Sequence, residues 1–193
     1  THVRNLLRID NAEVIGAALA DAGIDAGSVD YVEGQGAAAT LVDGAELDAF
    51  ARAFGGAGHV LPLGSLKGNL GHLESASGVA SLIKTLFAVR TGRIPATLGH
   101  ESLNWDEDRG PAPVDVVSVP RDWPDSASHP RRAAVHNFGY GGANVHFVVE
   151  AAPARAPMND VQDPVLVPLS APSEARLRRA AAALARHIED QAW

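Results

Sequence analysis

The sequence predicts an α/β fold. Short apolar runs of strand length recur along the chain, stretches with apolar residues at helical spacing stand between them, and glycine-rich loops join the two.

The first helix is expected over Asn11 to Ala22, where Val14, Ile15, Ala18 and Leu19 share one face, Asp10 or Asn11 serves as N-cap and Gly23 ends it. Ser28 to Glu33 alternates and is rich in β-branched and aromatic residues, which predicts a strand running into the loop Gly34 to Ala39. A second helix is expected from Gly44 to Phe54, with Leu47, Phe50 and Ala51 turned inward. Asp43, Glu46 and Asp48 lie in its first turns, where the helix dipole favours acids. His59 to Leu63 is a short apolar run bounded by glycines, so a buried strand is expected.

The stretch Gly64 to Glu74 holds three glycines, a lysine, an asparagine and a histidine, and it opens into an apolar, small-residue run from Ser75 to Val89. It predicts a tight turn that presents polar side chains at a helix start. The helix carries Val79, Leu82, Ile83, Leu86 and Phe87, with Ala76, Gly78 and Ala80 allowing close approach, and is expected to be central and well buried. Beyond it, Arg93 to Thr97 and the segment up to Pro113 read as loops, Val114 to Val119 as a strand, and Arg121 to Pro124 as an edge turn. Arg132 to Asn137 and Asn144 to Glu150 read as a hairpin around Phe138 to Ala143. Residues 1–150 therefore form one domain and 151–163, rich in alanine and proline, a linker. Residues 164–193 form an appendage with a strand at Pro164 to Leu169 and a helix at Ser173 to Ala192, its stripe made by Leu177, Ala180, Leu184 and Ile188.

Composition excludes several classes. With 193 residues and 46% hydrophobic content the chain can bury a sizeable core, and its formal charge of -7 argues against a nucleic-acid surface. No apolar run approaches the roughly 20 residues that span a bilayer, and no signal pattern opens the chain, so a cytosolic protein is the default reading. The absence of cysteine removes disulfides, thiolate metal sites and cysteine nucleophiles together. No His, Asp and Glu cluster has metal-ligand spacing, Gly64 to Asn69 lacks phosphate-loop spacing, and there is no G-x-S-x-G elbow. His136 and His146 read as strand-packing residues. A start at Thr1 without Met and an end at Trp193 inside a helical pattern suggest a piece of something longer.

Three ordered motifs carry a family resemblance. Val32 to Glu46 resembles the VEAHGTGTxLGDPIE signature of β-ketoacyl synthases, particularly the ketosynthase domains of modular polyketide synthases. Gly64 to Glu74 resembles their GSxKxNxGHxE/Q signature, and His136 to His146 their (N/S)SFGxxGTNAH signature. The likeness covers about residues 11 to 150, and Val167 to Ala171 with the following helix is similar to the linker after such ketosynthases. It implies the second half of a thiolase-like fold of α-β-α-β-α layers, with the nucleophilic cysteine in a first half not included here.

The implied reaction is decarboxylative Claisen condensation of an acyl thioester with a malonyl unit on an acyl carrier protein. The implied partners are the cysteine-bearing N-terminal half, the carrier protein and a second copy in a homodimer. No cofactor is implied for this chain itself, the phosphopantetheine arm being supplied by the carrier protein. By motif position His72 is an oxyanion donor, and Lys67 and Glu46 form the charged surroundings that orient it, or a plain ion pair. Asn69 braces the loop, Phe138 is the aromatic gate, and Gly139 and Gly141 allow close approach of substrate. Gln35 stands where the family has its first histidine, and Ala37, Ala38 and Ala39 replace two threonines and a glycine. A neutral amide does not titrate near pH 7. Two function classes follow: a condensation-impaired, non-elongating acyltransferase, or a degenerate remnant that holds neighbouring domains or carrier proteins in place.

Overall fold

Strand β1 (Tyr31–Glu33) is buried along its whole length, flanked in parallel by β2 (Leu61–Gly64) on one side and β6 (Arg132–Phe138) on the other. The computed structural model describes residues 11–139, 142–153 and 166–190, and the chain divides into two compact units, Thr1–Pro153 and Ala154–Trp193. In the first unit β4 (Val114–Val116) extends the sheet in parallel beyond β2, and β7 (Asn144–Glu150) closes the other edge antiparallel to β6. The order is β4-β2-β1-β6-β7. As a central parallel strand β1 is covered on both faces, and it is three residues long, where alternation predicted six.

Helices α1 (Asn11–Ala22) and α2 (Thr40–Phe54) cover one face, where Ile15, Leu19, Leu47, Phe50 and Phe54 pack with Val32, Leu61, Val114 and Ala134. Tyr31 and Ala133 point the other way and pack with Ala88, Val89, Ile94, Val117 and Trp123. Their neighbours Val32 and Ala134 face the first cluster, as the two-residue side-chain period of a strand requires. Gly23, at φ 66°, ends α1 in the left-handed region as the sequence predicts. Asp10, the alternative N-cap, lies outside the described residues.

Several boundaries differ from the sequence reading. Helix α2 starts four residues early, at Thr40, because Ala39 is extended and the next residues already coil. Strand β2 begins at Leu61, leaving His59 and Val60 exposed. The loops at 93–94 and 121–122 pair as a two-stranded antiparallel ribbon, β3 (Arg93–Ile94) with β5 (Arg121–Asp122), anchored by buried Trp123.

The predicted turn contains a helix of its own, α3 (Lys67–Leu70), and the long helix α4 runs from Ser77 to Thr91. Its buried face is Ser77, Ser81, Thr85, Ala88 and Val89, whereas Val79, Ile83, Leu86 and Phe87 are exposed by 61%, 49%, 48% and 62%. The expectation that these large residues enter this core is therefore wrong. The small face is the one that lies close to the sheet, and the large apolar ridge points away from it.

In the second unit α5 (Glu174–Asp190) forms a helix within the expected range, with an i,i+4 ion pair between Arg178 and Glu174 at 2.6 Å. The expected strand at 164–169 does not form over Leu166–Leu169, and 164–165 lie outside the described residues.

Candidate functional site

The carboxylate of Glu46, buried on α2, reaches back under the loop that follows β1. Its Oε1 accepts the Gln35 backbone N–H at 2.6 Å and its Oε2 that of Gly36 at 3.0 Å. Asp43, one turn earlier, accepts the N–H of Ala37 at 3.0 Å. The acids in the first turns of α2 thus hold the loop before the helix. Gly36 sits at φ 48°, and a Cβ there would lie 2.7 Å from Ser65 Oγ, so this close approach needs glycine. Ala38 also adopts a left-handed backbone, φ 56°, at the position where the sequence motif carries glycine. Its Cβ costs about 1 kcal/mol there.

Gln35 is held from every side. Lys67 donates from its Nζ to the Gln35 backbone oxygen and, at 3.3 Å, to the side-chain Oε1; Gln35 Nε2 donates to the Phe138 carbonyl at 3.2 Å. Both ends of the amide are engaged in bracing the loop. Burial raises Glu46 to about 7, outweighing the two N–H groups it accepts, and burial likewise lowers Lys67, opposed by the nearby Glu46, Glu33 and Asp43.

His72 is exposed between two left-handed residues, Gly71 (φ 74°) and Glu74 (φ 51°). Its Nδ1 accepts the Glu74 backbone N–H at 3.0 Å and lies 3.3 Å from Ser77 Oγ. An N–H donor fixes Nδ1 as acceptor, so the neutral imidazole carries its proton on Nε2 and keeps a donor free. The expected orientation of His72 by Lys67 and Glu46 is not what the structure shows. Those two grip Gln35, and Ser77 with the Glu74 backbone hold His72. Asn69 does not brace the loop through its side chain, which is exposed and makes no hydrogen bond among the described residues; its backbone N–H bonds Leu66 within α3.

Gln35, His72, Ser77, Phe138 and Gly139 line one cleft of about 640 Å³. The chain after β6 is turned by the Gly139 N–H bonding the Ala143 carbonyl at 3.0 Å, while Gly141 lies outside the described residues. Three residues far apart in sequence, Gln35, His72 and Phe138, therefore share one wall-to-wall space. No group of His, Asp and Glu among the described residues could hold a metal ion.

Sequence reasoning missed Ser77 and a buried cluster beneath the loop. Glu33, fully buried, accepts the Tyr31 hydroxyl at 2.5 Å and Lys84 Nζ at 2.6 Å on one oxygen, and the Leu66 backbone N–H at 2.7 Å on the other. The signal was available: a glutamate and a tyrosine two apart on a buried strand face one side, and a buried carboxylate requires a cationic partner. His136 and His146 do pack as a cross-strand pair, with their Nδ1 atoms 3.2 Å apart and Phe50 and Phe54 against their rings.

Two family profiles match the chain: "Beta-ketoacyl synthase, C-terminal domain" over residues 7–101, and "Ketoacyl-synthetase C-terminal extension" over residues 111–193. The chain belongs to the β-ketoacyl synthase family. It is the C-terminal part of a ketosynthase domain with its extension, of the kind found in polyketide synthases. This ketosynthase segment is 40% identical over 181 residues to the mycoketide-CoA synthase of Mycobacterium tuberculosis and 39% identical over 184 residues to the erythronolide synthase EryA3 of Saccharopolyspora erythraea. Each alignment covers 91% of this chain but only 4% and 6% of those proteins, so the chain spans a small fraction of the relatives it matches. Among solved structures, an oxazolomycin ketosynthase domain of Streptomyces albus aligns with TM-score 0.69 at 31% identity, covering 93% of this chain and 32% of that one. The twelfth ketosynthase of the Bacillus amyloliquefaciens bacillaene synthase aligns at the same TM-score and 28% identity, covering 95% and 32%. The fold is thiolase-like, and the ketosynthase segment supplies one sheet of it with the helices on that sheet's two faces.

Proposed function

We propose that this chain supplies the histidine side of a ketosynthase site that receives acyl and malonyl thioesters on the phosphopantetheine arm of an acyl carrier protein, and that the site loads acyl groups without efficient elongation. The observation that carries the reading is the double engagement of Gln35: where the family has a histidine, an untitratable amide is tied at both ends, to Lys67 and to the Phe138 carbonyl.

Loss of carbon dioxide from a malonyl thioester leaves an enolate whose oxygen needs donors. A single such donor contributes roughly 3 kcal/mol to the transition state. His72, with its proton on Nε2, is suited to give one; Gln35 commits one of its two amide N–H groups to the Phe138 carbonyl and carries no positive charge. The alanines at 37 and 39 remove two hydroxyls from the same loop, and with them two donors within reach of the arriving arm. The nucleophilic cysteine that would carry the acyl group comes from the N-terminal half, since this chain has none. The exposed ridge of Val79, Ile83, Leu86 and Phe87 supports such a partner, because an unpaired apolar face of this size on a helix is a surface made to be covered. A homodimer through the complete ketosynthase belongs to the same reading.

Intact-mass measurement of the full-length protein, incubated with acyl- and malonyl-loaded carrier proteins, tests it. Acyl loading without carbon-carbon bond formation is expected, and an elongated product overturns the reading. A second reading, a scaffold without chemistry, is favoured by the use of Gln35 and Lys67 as loop braces, and no loading at all would establish it instead.

A further inference from the structure

We propose that Glu33 is a positioning residue for the segment that carries Lys67 and His72, acting through the Leu66 peptide. The proposal rests on the reading of the Gln35–His72 cleft as the reacting site. Leu66 is gripped at both of its backbone groups. Its N–H donates to Glu33 Oε1 at 2.7 Å, and its carbonyl accepts the N–H groups of Asn69 at 2.9 Å and Leu70 at 3.1 Å, which open the single turn of α3. Fixing that one peptide plane sets the direction of α3 and hence the place of Lys67, the residue that braces Gln35.

Glu33 has an independent hold on the rest of the fold. Its other oxygen takes Lys84 Nζ at 2.6 Å and the Tyr31 hydroxyl at 2.5 Å, so strand β1, helix α4 and the entry to α3 meet on one buried carboxylate. The space exists because residue 64 is glycine: a Cβ there would collide with the Tyr31 hydroxyl and lie 3.1 Å from Lys84 Nζ. A carboxylate needed only to neutralise Lys84 would have no reason to spend an oxygen on a loop amide. The second oxygen is what assigns Glu33 to the site.

Hydrogen exchange on the full-length protein without substrate separates the two roles and does not depend on catalysis. One variant combines Tyr31→Phe, Glu33→Leu and Lys84→Met, an apolar cluster of similar volume with no acceptor for Leu66; its companion carries Glu33→Gln in place of Glu33→Leu, which retains the acceptor. Exchange over residues 67–71 is expected to quicken at least tenfold in the leucine variant and to return near the wild-type rate in the glutamine variant, with residues 80–90 of α4 alike in both. Equal exchange over 67–71 in the two variants overturns the proposal. Lys84→Met alone provides a check if the leucine variant does not fold: it is expected to quicken exchange in α4 and leave 67–71 at the wild-type rate, and a larger increase over wild type at 67–71 than in α4 overturns the proposal equally.

Discussion

Gly64 shows how little room a single residue has beneath this site. The Tyr31 hydroxyl and the Lys84 ammonium fill the volume over its Cα, so Gly64→Ala drives a methyl group into the buried, charged cluster that these two form with Glu33. Overpacking of this kind costs about 2 kcal/mol, and chemical unfolding is expected to show a loss of that order. The buried histidine pair gives a second consequence at the same scale. Burial lowers His136 to about 3, helped by its neighbour, and lowers His146 to about 4. Both therefore stay neutral in the fold while the unfolded chain protonates them near the ordinary value of about 6.5. Below that value the unfolded state binds more protons, so stability is lost as pH falls, by up to about 1.4 kcal/mol per pH unit for each ring. Glu46, raised by burial to about 7, acts with the opposite sign between the ordinary carboxylate range and neutrality. Comparing wild type with His136→Leu/His146→Leu cancels that contribution. Between pH 6 and pH 5 the wild type is expected to lose about 2 kcal/mol more than the variant, measured by urea unfolding; equal losses would contradict the buried-neutral assignment.

Among the elements, α4 is where sequence and structure part most sharply. Periodicity located its apolar face at Val79, Ile83, Leu86 and Phe87, but periodicity cannot say which layer covers a face. Against this sheet the helix sets Ser77, Ser81 and Thr85, whose small side chains permit a close approach. The ridge points away from that sheet, and a chain read alone offers its reader only one core to assign it to. The loops behaved differently. The glycine spacing at Gly34, Gly36, Gly64 and Gly71 marked real close approaches and left-handed turns, so the places of Gln35, Lys67 and His72 near one another were legible. Their partners were not, because a motif gives proximity without hydrogen-bond direction: Glu46 and Lys67 turned out to serve Gln35, and an unremarked Ser77 to serve His72. For the ridge, Ile83→Ser with Phe87→Ser is expected to leave the stability of this unit within about 0.5 kcal/mol, as for exposed positions. The same pair is expected to abolish co-purification with a separately produced cysteine-bearing half. Unchanged co-purification would place the covering layer elsewhere.

At the scale of the molecule, one sheet with helices on both faces gathers three loops at one end. The first unit brings the loop after β1, the α3–α4 entry and the β6–β7 turn to one end of the parallel strands, where ligands of open α/β sheets bind. In the first of those three loops Gln35 stands where the family motif has histidine, and Ala38 holds a glycine backbone at the cost of strain. The most direct measurement of the account is the mass of carrier-bound product formed by the full-length protein and by its Gln35→His variant under identical loading. Acyl-enzyme in both, with elongated product rising about 100-fold in the variant, is the predicted result, matching the worth of one oxyanion donor. Equal elongation by the two proteins would contradict it.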